Sequence, residues 1–227
     1  MNRRLVGLIL STLLLGANCS AQNGAPETPP LIAVRADRMI DVNSGNVIAH
    51  AVVIIDGDKI KATGSGIDIP KGARIIDLGN VTLLPGLIDC HTHLLQSYYN
   101  DMGDETNIVI TTTTTAPQRA MIGVKNARSM LEAGYTAARD VGNSGVGADV
   151  ALRDGINAGW IPGPRMEVST RALAPVGGQF NAYPLSPETK NAIVDQEYRV
   201  VTGTVEATRA VREAMYDGAD LIKVISA

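Results

Sequence analysis

Hydrophobic positions along the chain follow two rhythms, and the change between them falls near residue 81. From Leu31 to residue 80 the apolar residues come in short β-branched runs: LIAVRADRMIDV, VIAHAVVIIDGDKIKATG and ARIIDL. Side chains alternate faces along a strand, so such runs predict short strands. Asn43-Ser44-Gly45-Asn46 and Asp56-Gly57-Asp58 stand between them as turn signals, and IIDGDKI reads as a hairpin. The stretch 31–80 is therefore expected to form a small β-rich domain, a sandwich or half-barrel.

From Val81 onward strands and helices alternate. The run VTLLPGLIDCHTHLL is an apolar strand pattern that ends on polar residues. Gln118 to Glu132 has helical spacing, with Met121, Val124, Arg128 and Leu131 near one face and Gly134 as its stop. Tyr135–Val141 and Arg165–Thr170 read as strands, Gly147–Ala158 and Thr204–Asp217 as helices, and Asp220–Ser226 as a fourth strand. Residues 96–117 and the Gly/Pro-containing LAPVGGQFNAYPLSPE read as long loops. The order β-α-β-α-β-α-β implies parallel strands with right-handed crossovers. A Rossmann-like sheet and a (β/α)8 barrel both fit. No G-x-G-x-x-G opens a helix after the first strand, so nucleotide binding has no support. His91, His93, Arg139, Asp140 and Lys223 fall at strand C-terminal ends, where functional groups gather in (β/α)8 barrels.

The N-terminus changes the picture of location. Asn2-Arg3-Arg4 is a short basic region, Leu5–Gly16 is apolar but short for a membrane span, and small residues follow. Residues 1–21 read as an export signal cleaved after Ala21, which predicts a periplasmic or secreted protein with no stable membrane anchor afterwards. Acylation of Cys19 is the weaker reading, because Asn18 is a poor residue before such a cysteine. Residues 22–30, QNGAPETPP, read as a linker. The chain has 227 residues, 45% of them apolar and 19% charged, with a net charge of −3. That balance and the scarcity of aromatics give no support to nucleic-acid binding.

Three histidines are present, His50, His91 and His93. A lone histidine within a strand run is most often packed or on the surface, so His50 is not counted as a ligand. His91 and His93, two residues apart in a strand, project to one side and can hold a divalent metal. By the same alternation Cys90 shares the face of Thr92 and is expected to be a small packed hydrophobe pointing away from the histidines.

With LPGLIDCHTHL, LEAGYTAARDVG, ALRDGINAGWIPGPRMEVSTRAL and GADLIKVIS in hand, nearly the whole chain after the linker resembles the amidohydrolase superfamily. The nearest branch is that of imidazolonepropionase-related enzymes and exported Xaa-Pro dipeptidases. The resemblance implies an α/β fold: a distorted (β/α)8 barrel beside a small β-sandwich built from both chain ends. It implies a divalent metal centre, usually zinc and often binuclear, in which His91 and His93 match the ligands of the first strand. Lys223 matches the lysine that carbon dioxide converts to a metal-bridging carbamate. An ammonium would repel a dication, whereas a carbamate is an anionic oxygen donor. The implied activity is hydrolysis of an amide (C–N) bond in a small peptide or N-acyl amino acid, with cyclic-amide hydrolysis of the imidazolonepropionase kind, or a non-catalytic exported remnant, as alternatives.

In the family two later histidines and an aspartate that handles the proton of the attacking water complete the site. None of these has a counterpart here. A barrel needs ~250 residues, and 81–227 accommodates about four β/α units, so the chain reads as an N-terminal half that is inactive alone. Its general-base aspartate is expected beyond residue 227. Unpaired first and fourth strands would also invite self-association, including a homo-oligomer. Gln179 stands where several relatives carry histidine and reads as a loop residue.

Overall fold

The computed structural model describes residues 30–97, 106–142, 145–176 and 185–225. The residues read as an export signal, Cys19, Gln179 and most of the stretch read as a linker lie outside them. Two compact units divide between Leu84 and Pro85. Among the described residues no helix is long and apolar enough to cross a membrane.

The first unit is one five-stranded sheet. Its strands are β1 (Ile32–Ile40), β2 (Val47–Asp56), β3 (Lys59–Ser65), β4 (Arg74–Asp77) and β5 (Thr82–Leu83). β2 lies antiparallel to β1 and β3, while β4 and β5 run parallel to β1. The turn after β1 is closed by the Asp41 carboxylate, which accepts from the Asn43 N–H and the Ser44 hydroxyl. The β2–β3 hairpin turns at Gly57-Asp58, as IIDGDKI predicts. Ala33, Val52 and Ile54 form the buried face, covered by Ala62, Ile67, Ile69 and Ala73. Among the described residues the stretch that reads as a sandwich or half-barrel forms this single sheet.

The second unit is built on three parallel strands, β6 (Leu87–Thr92), β7 (Tyr135–Asp140) and β8 (Arg165–Val168), in that order. Helices α2 (Ala116–Glu132) and α3 (Ala148–Asn157) cover one face. Leu95, Ala127, Ala138, Leu152, Met166 and Val168 form the core between. The face of α2 differs from the one its apolar periodicity suggests: Arg119, Gly123 and Ala127 are buried, whereas Met121 is 69% exposed and Arg128 lies outside. Small residues let α2 come close to Leu95 and Leu152, which a stripe of larger side chains would prevent.

Four elements are not readable from the sequence as such. α1 (Thr106–Thr113) falls in the threonine-rich stretch that reads as a loop. Threonine is a poor helix former, but the Thr112, Thr113 and Thr114 hydroxyls bond back to the Ile108, Val109 and Ile110 carbonyls. α4 (Pro187–Glu197) begins at Ser186, whose hydroxyl accepts from the Thr189 N–H. β9 (Ala172–Ala174) and β10 (Tyr198–Val200) are three-residue strands paired in parallel. The third strand, expected to reach Thr170, stops at Val168, because Thr170 adopts φ +57° and breaks the extended run. Helix α5 (Gly203–Tyr216) lies where expected, but the fourth strand is reduced to one bridge, Val224 with Leu173 of β9.

A buried ion pair ties the helices α1, α2 and α4. Arg119 Nη1 lies 2.5 Å from Glu197 Oε1, and each side chain is 1% exposed. The Thr111 hydroxyl donates to the same carboxylate at 2.8 Å. Removing one partner strands a buried charge, so Glu197→Ala is expected to cost about 3–5 kcal/mol in urea unfolding. The apolar double variant Arg119→Met/Glu197→Leu should recover most of that loss.

Candidate metal centre

The strand that carries the histidine pair is seated by a tight approach. A Cβ on Gly86 would lie 2.1 Å from the Thr136 hydroxyl oxygen, so glycine is required where the chain enters β6. The pairing then runs Ile88 with Ala137 and Asp89 with Ala138, and resumes at Thr92 with Asp140. The residues from Asp89 to Thr92 thus oppose a shorter stretch of β7, which is a β-bulge. The Asp89 carboxylate accepts the His91 N–H at 2.9 Å and supports the distorted backbone.

The bulge overturns the expectation for Cys90. Strict alternation would place Cys90 with Thr92. Thr92 is buried, but Cys90 is exposed and lines a groove with Ile88, Ala137, Arg139, Arg165 and Glu167. An extra residue in the strand breaks the period of two on which that expectation rests. Arg139 does not join the histidines either, since it lies in this groove and pairs with Glu167 at 2.9 Å.

His91 and His93 do stand side by side. Their ring centroids are 5.3 Å apart with the planes near perpendicular. They open on a cleft of about 480 Å³ lined also by Asp89, Gln96, Lys125 and Asn126. His93 Nδ1 lies 2.9 Å from the Gly142 carbonyl. A carbonyl can only accept, so Nδ1 carries the proton and Nε2 keeps its lone pair. Gly142 turns that carbonyl toward the ring with φ +103°, a conformation that glycine adopts without strain.

Burial lowers the His93 pKa below its ordinary value of 6.5. The Gly142 bond opposes this, and the charges of His91 and Lys223 lower it further. The Lys223 backbone is fixed beside β9, where its carbonyl accepts the Leu173 N–H and the Ile225 N–H donates to the Leu173 carbonyl, both at 2.8 Å.

The backbone around His93 has further supports to which the sequence alone assigns no role. Asn126 of α2 donates to the Leu94 and Gln96 carbonyls, each at 2.8 Å. Asp140 Oδ2 accepts the Leu94 N–H at 2.6 Å and lies 3.3 Å from the Thr92 hydroxyl. Asp140 is fully buried, and its Oδ1 has no hydrogen-bond partner among the described residues. Burial raises its pKa to about 7, the negative charge of Asp149 adds to this, and interactions with the Leu94 backbone, the Thr92 side chain and the Gly142 backbone oppose it. Asp149, also fully buried, accepts the Val150 and Thr170 N–H groups.

Among the described residues no three His, Cys, Asp or Glu side chains converge as a metal-binding group. The donors available are the two imidazoles, and Lys223 is the further group whose charge acts on His93. The imidazoles fit a borderline cation such as zinc. Lys223 fits only when its positive charge is removed.

The Amidohydrolase family matches residues 82–226. The chain belongs to that family. An imidazolonepropionase of Idiomarina loihiensis is 42% identical over 64 residues, 27% of this chain and 16% of that protein. A solved prolidase complexed with N-methylphosphonate-L-proline superposes with a TM-score of 0.67 at 30% identity, over 86% of this chain and 46% of that one. A Xaa-Pro dipeptidase with methionine bound in its active site gives 0.68 at 27% identity, with the same coverage. The chain thus spans about half the length of the solved relatives it matches. The second unit is the first part of an amidohydrolase (β/α)8 barrel, preceded by the small β-domain.

Asp140 makes stability depend on pH. In the unfolded chain it ionises near 3.8, and in the fold near 7. A raised folded pKa gives stability that is complete below the unfolded value and lost as pH rises through the folded one. The stability of the chain relative to its Asp140→Asn variant should therefore fall between these two pH values, by up to about 1.4 kcal/mol per pH unit. Urea titrations of both proteins across that range check it; a flat difference would show the carboxyl to be ionised throughout.

Proposed function

We propose that this chain carries the metal-binding face of a metal-dependent amidohydrolase that hydrolyses an amide bond in a small peptide or N-acyl amino acid. The observation that carries the reading is the His91–His93 pair at the end of β6, with the His93 Nε2 lone pair left free by the Gly142 carbonyl. The similarity to a prolidase and a Xaa-Pro dipeptidase supports a peptide-like substrate. The match to an imidazolonepropionase favours a second reading, hydrolysis of a cyclic amide.

In this reading His91 and His93 would hold a divalent cation, zinc by their donor chemistry, through neutral nitrogens, and Lys223 would join them as an anionic oxygen donor once its amine is carboxylated. A bound divalent cation would polarise the scissile carbonyl and lower the pKa of a bound water. Burial favours the neutral form of His93 and the Gly142 carbonyl fixes its tautomer, which leaves the Nε2 lone pair for binding. Asp89 and Asn126 hold the backbone on either side of the pair. No general base is assigned within these residues. The export signal read in residues 1–21 supports action outside the cytoplasm, which agrees better with peptide cleavage than with histidine breakdown.

The chain is expected to take up zinc stoichiometrically in an equilibrium dialysis experiment, and His91→Ala is expected to lose it. Bicarbonate should strengthen uptake by the wild-type chain and leave Lys223→Ala unaffected. A wild-type chain that retains no zinc with bicarbonate present would overturn the reading. In a protein that also supplies the general base, substrate assays separate the two reactions: metal-dependent cleavage of a Xaa-Pro dipeptide or N-acyl amino acid supports the first, and ring opening of an imidazolone the second.

A further inference from the structure

We propose that Asp140 is a positioning residue that holds the His91–His93 segment in ligand geometry by clamping the backbone and side chain on both sides of His93. The inference rests on the metal reading of the histidine pair, but the geometry that carries it stands in the fold itself.

Thr92 separates the two histidines and Leu94 comes directly after the second. Both meet one oxygen of Asp140, the Leu94 N–H at 2.6 Å and the Thr92 hydroxyl at 3.3 Å. The last β6–β7 pair is Thr92 with Asp140. One step further on, the Leu94 N–H donates its hydrogen bond to a side chain. The carboxyl of Asp140 thus takes the place of a ladder carbonyl just where the strand must end and His93 must turn.

Asp140 is itself held in the middle strand. It pairs with Val168 of β8, and its carbonyl accepts the Ser169 N–H at 3.1 Å. Two residues later on the same strand end, the Gly142 carbonyl holds His93 Nδ1. The end of β7 therefore holds this segment twice, through a carboxyl at the Leu94 N–H and Thr92 hydroxyl on either side of His93, and through a carbonyl at the His93 ring. Such outer partners fix the orientation and tautomer of a ligand histidine, and their loss typically lowers metal affinity about 10–100-fold.

Asp149 gives the contrast. It is also a fully buried aspartate, but it bonds to the Val150 and Thr170 N–H groups and to no group of residues 91–94. A role in packing alone would make the two aspartates equivalent. A positioning role separates them.

The test uses the 227-residue chain and zinc, with affinity read by competition against a chromophoric chelator. Imidazole ¹⁵N shifts of the metal-free protein report the His93 tautomer. Asp140→Ala is expected to lose about 10–100-fold in zinc affinity and to mix the His93 tautomers. Asp140→Asn keeps an oxygen acceptor and should retain both properties. Asp149→Ala should lower the melting temperature while leaving both unchanged. The proposal is overturned if Asp140→Ala keeps wild-type affinity and a single tautomer, or if Asp149→Ala changes them equally. Should Asp140→Ala fail to fold, Thr92→Val removes one of the two contacts and should give a smaller loss in the same direction; no loss overturns the proposal. Failure of the metal reading is distinct: the wild-type chain then takes up no zinc, and the tautomer of the Asp140 variants alone decides the role of the clamp.

Discussion

The pairing of β6 with β7 is the constraint on which the histidine site depends. A regular parallel pair would carry the strand straight on, with its last side chains set by simple alternation. The bulge between Asp89 and Thr92 takes up one extra residue and re-aims the side chains after it. Thr92 then lies under the helices, Cys90 faces the uncovered groove, and the two imidazoles stand 5.3 Å apart over the cleft. A distortion of this kind forfeits ladder hydrogen bonds, and the chain replaces them with side chains. Asp89 takes the His91 N–H, Asp140 takes the Leu94 N–H, and Asn126 takes the two carbonyls beyond.

Those replacements have a cost in stability. Asp140 and Asp149 are both fully buried, and the charge of one raises the pKa of the other. Thr170 sits in a left-handed conformation, held by the Asp149 carboxylate on its N–H. Buried carboxyls and a strained threonine at the C-terminal ends of adjacent strands are what a domain tolerates where geometry matters more than packing. Away from that end the same strands are ordinary: Ala138 and Met166 belong to the apolar core shared with α2 and α3.

Much of this fold is legible in the sequence because period and punctuation agree. The strands β1 to β3 alternate between clear turns, and α2, α3 and α5 have helical spacing closed by glycine. The misses share a cause, which is that contacts far along the chain override local preference. The threonines of α1 disfavour a helix, yet the segment is anchored by Thr111 to Glu197 of α4. The three-residue strands β9 and β10 exist because each has the other. At the site, the D-x-H-x-H spacing is enough to single out His91 and His93. The bulge is not legible, because nothing in an apolar-to-polar strand end announces an extra residue, and so the placement of Cys90 fails. Asp140 is visible only as a polar residue at a strand end. Its partner, the Leu94 amide, belongs to the backbone and leaves no mark in the sequence.

The electrostatics of the site point to a coupling between its groups under the proposed reading. Burial lowers the His93 pKa most, and its electrostatic interactions with His91 and Lys223 lower it further. A dication placed on these imidazoles would meet the same repulsion from the Lys223 ammonium, and more strongly, since it bears two charges. Carboxylation of that amine turns a repelling charge into an attracting one. Metal uptake and carbon dioxide uptake must then favour each other by the same factor, because linkage between two binding events is reciprocal. The histidine pair supplies direction, through a tautomer fixed by Gly142 and a backbone fixed by Asp140. The lysine supplies the sign of the field. Under the proposed reading neither alone would suffice for tight binding, and the two imidazoles at the strand end would need the lysine that the chain brings in beyond β9.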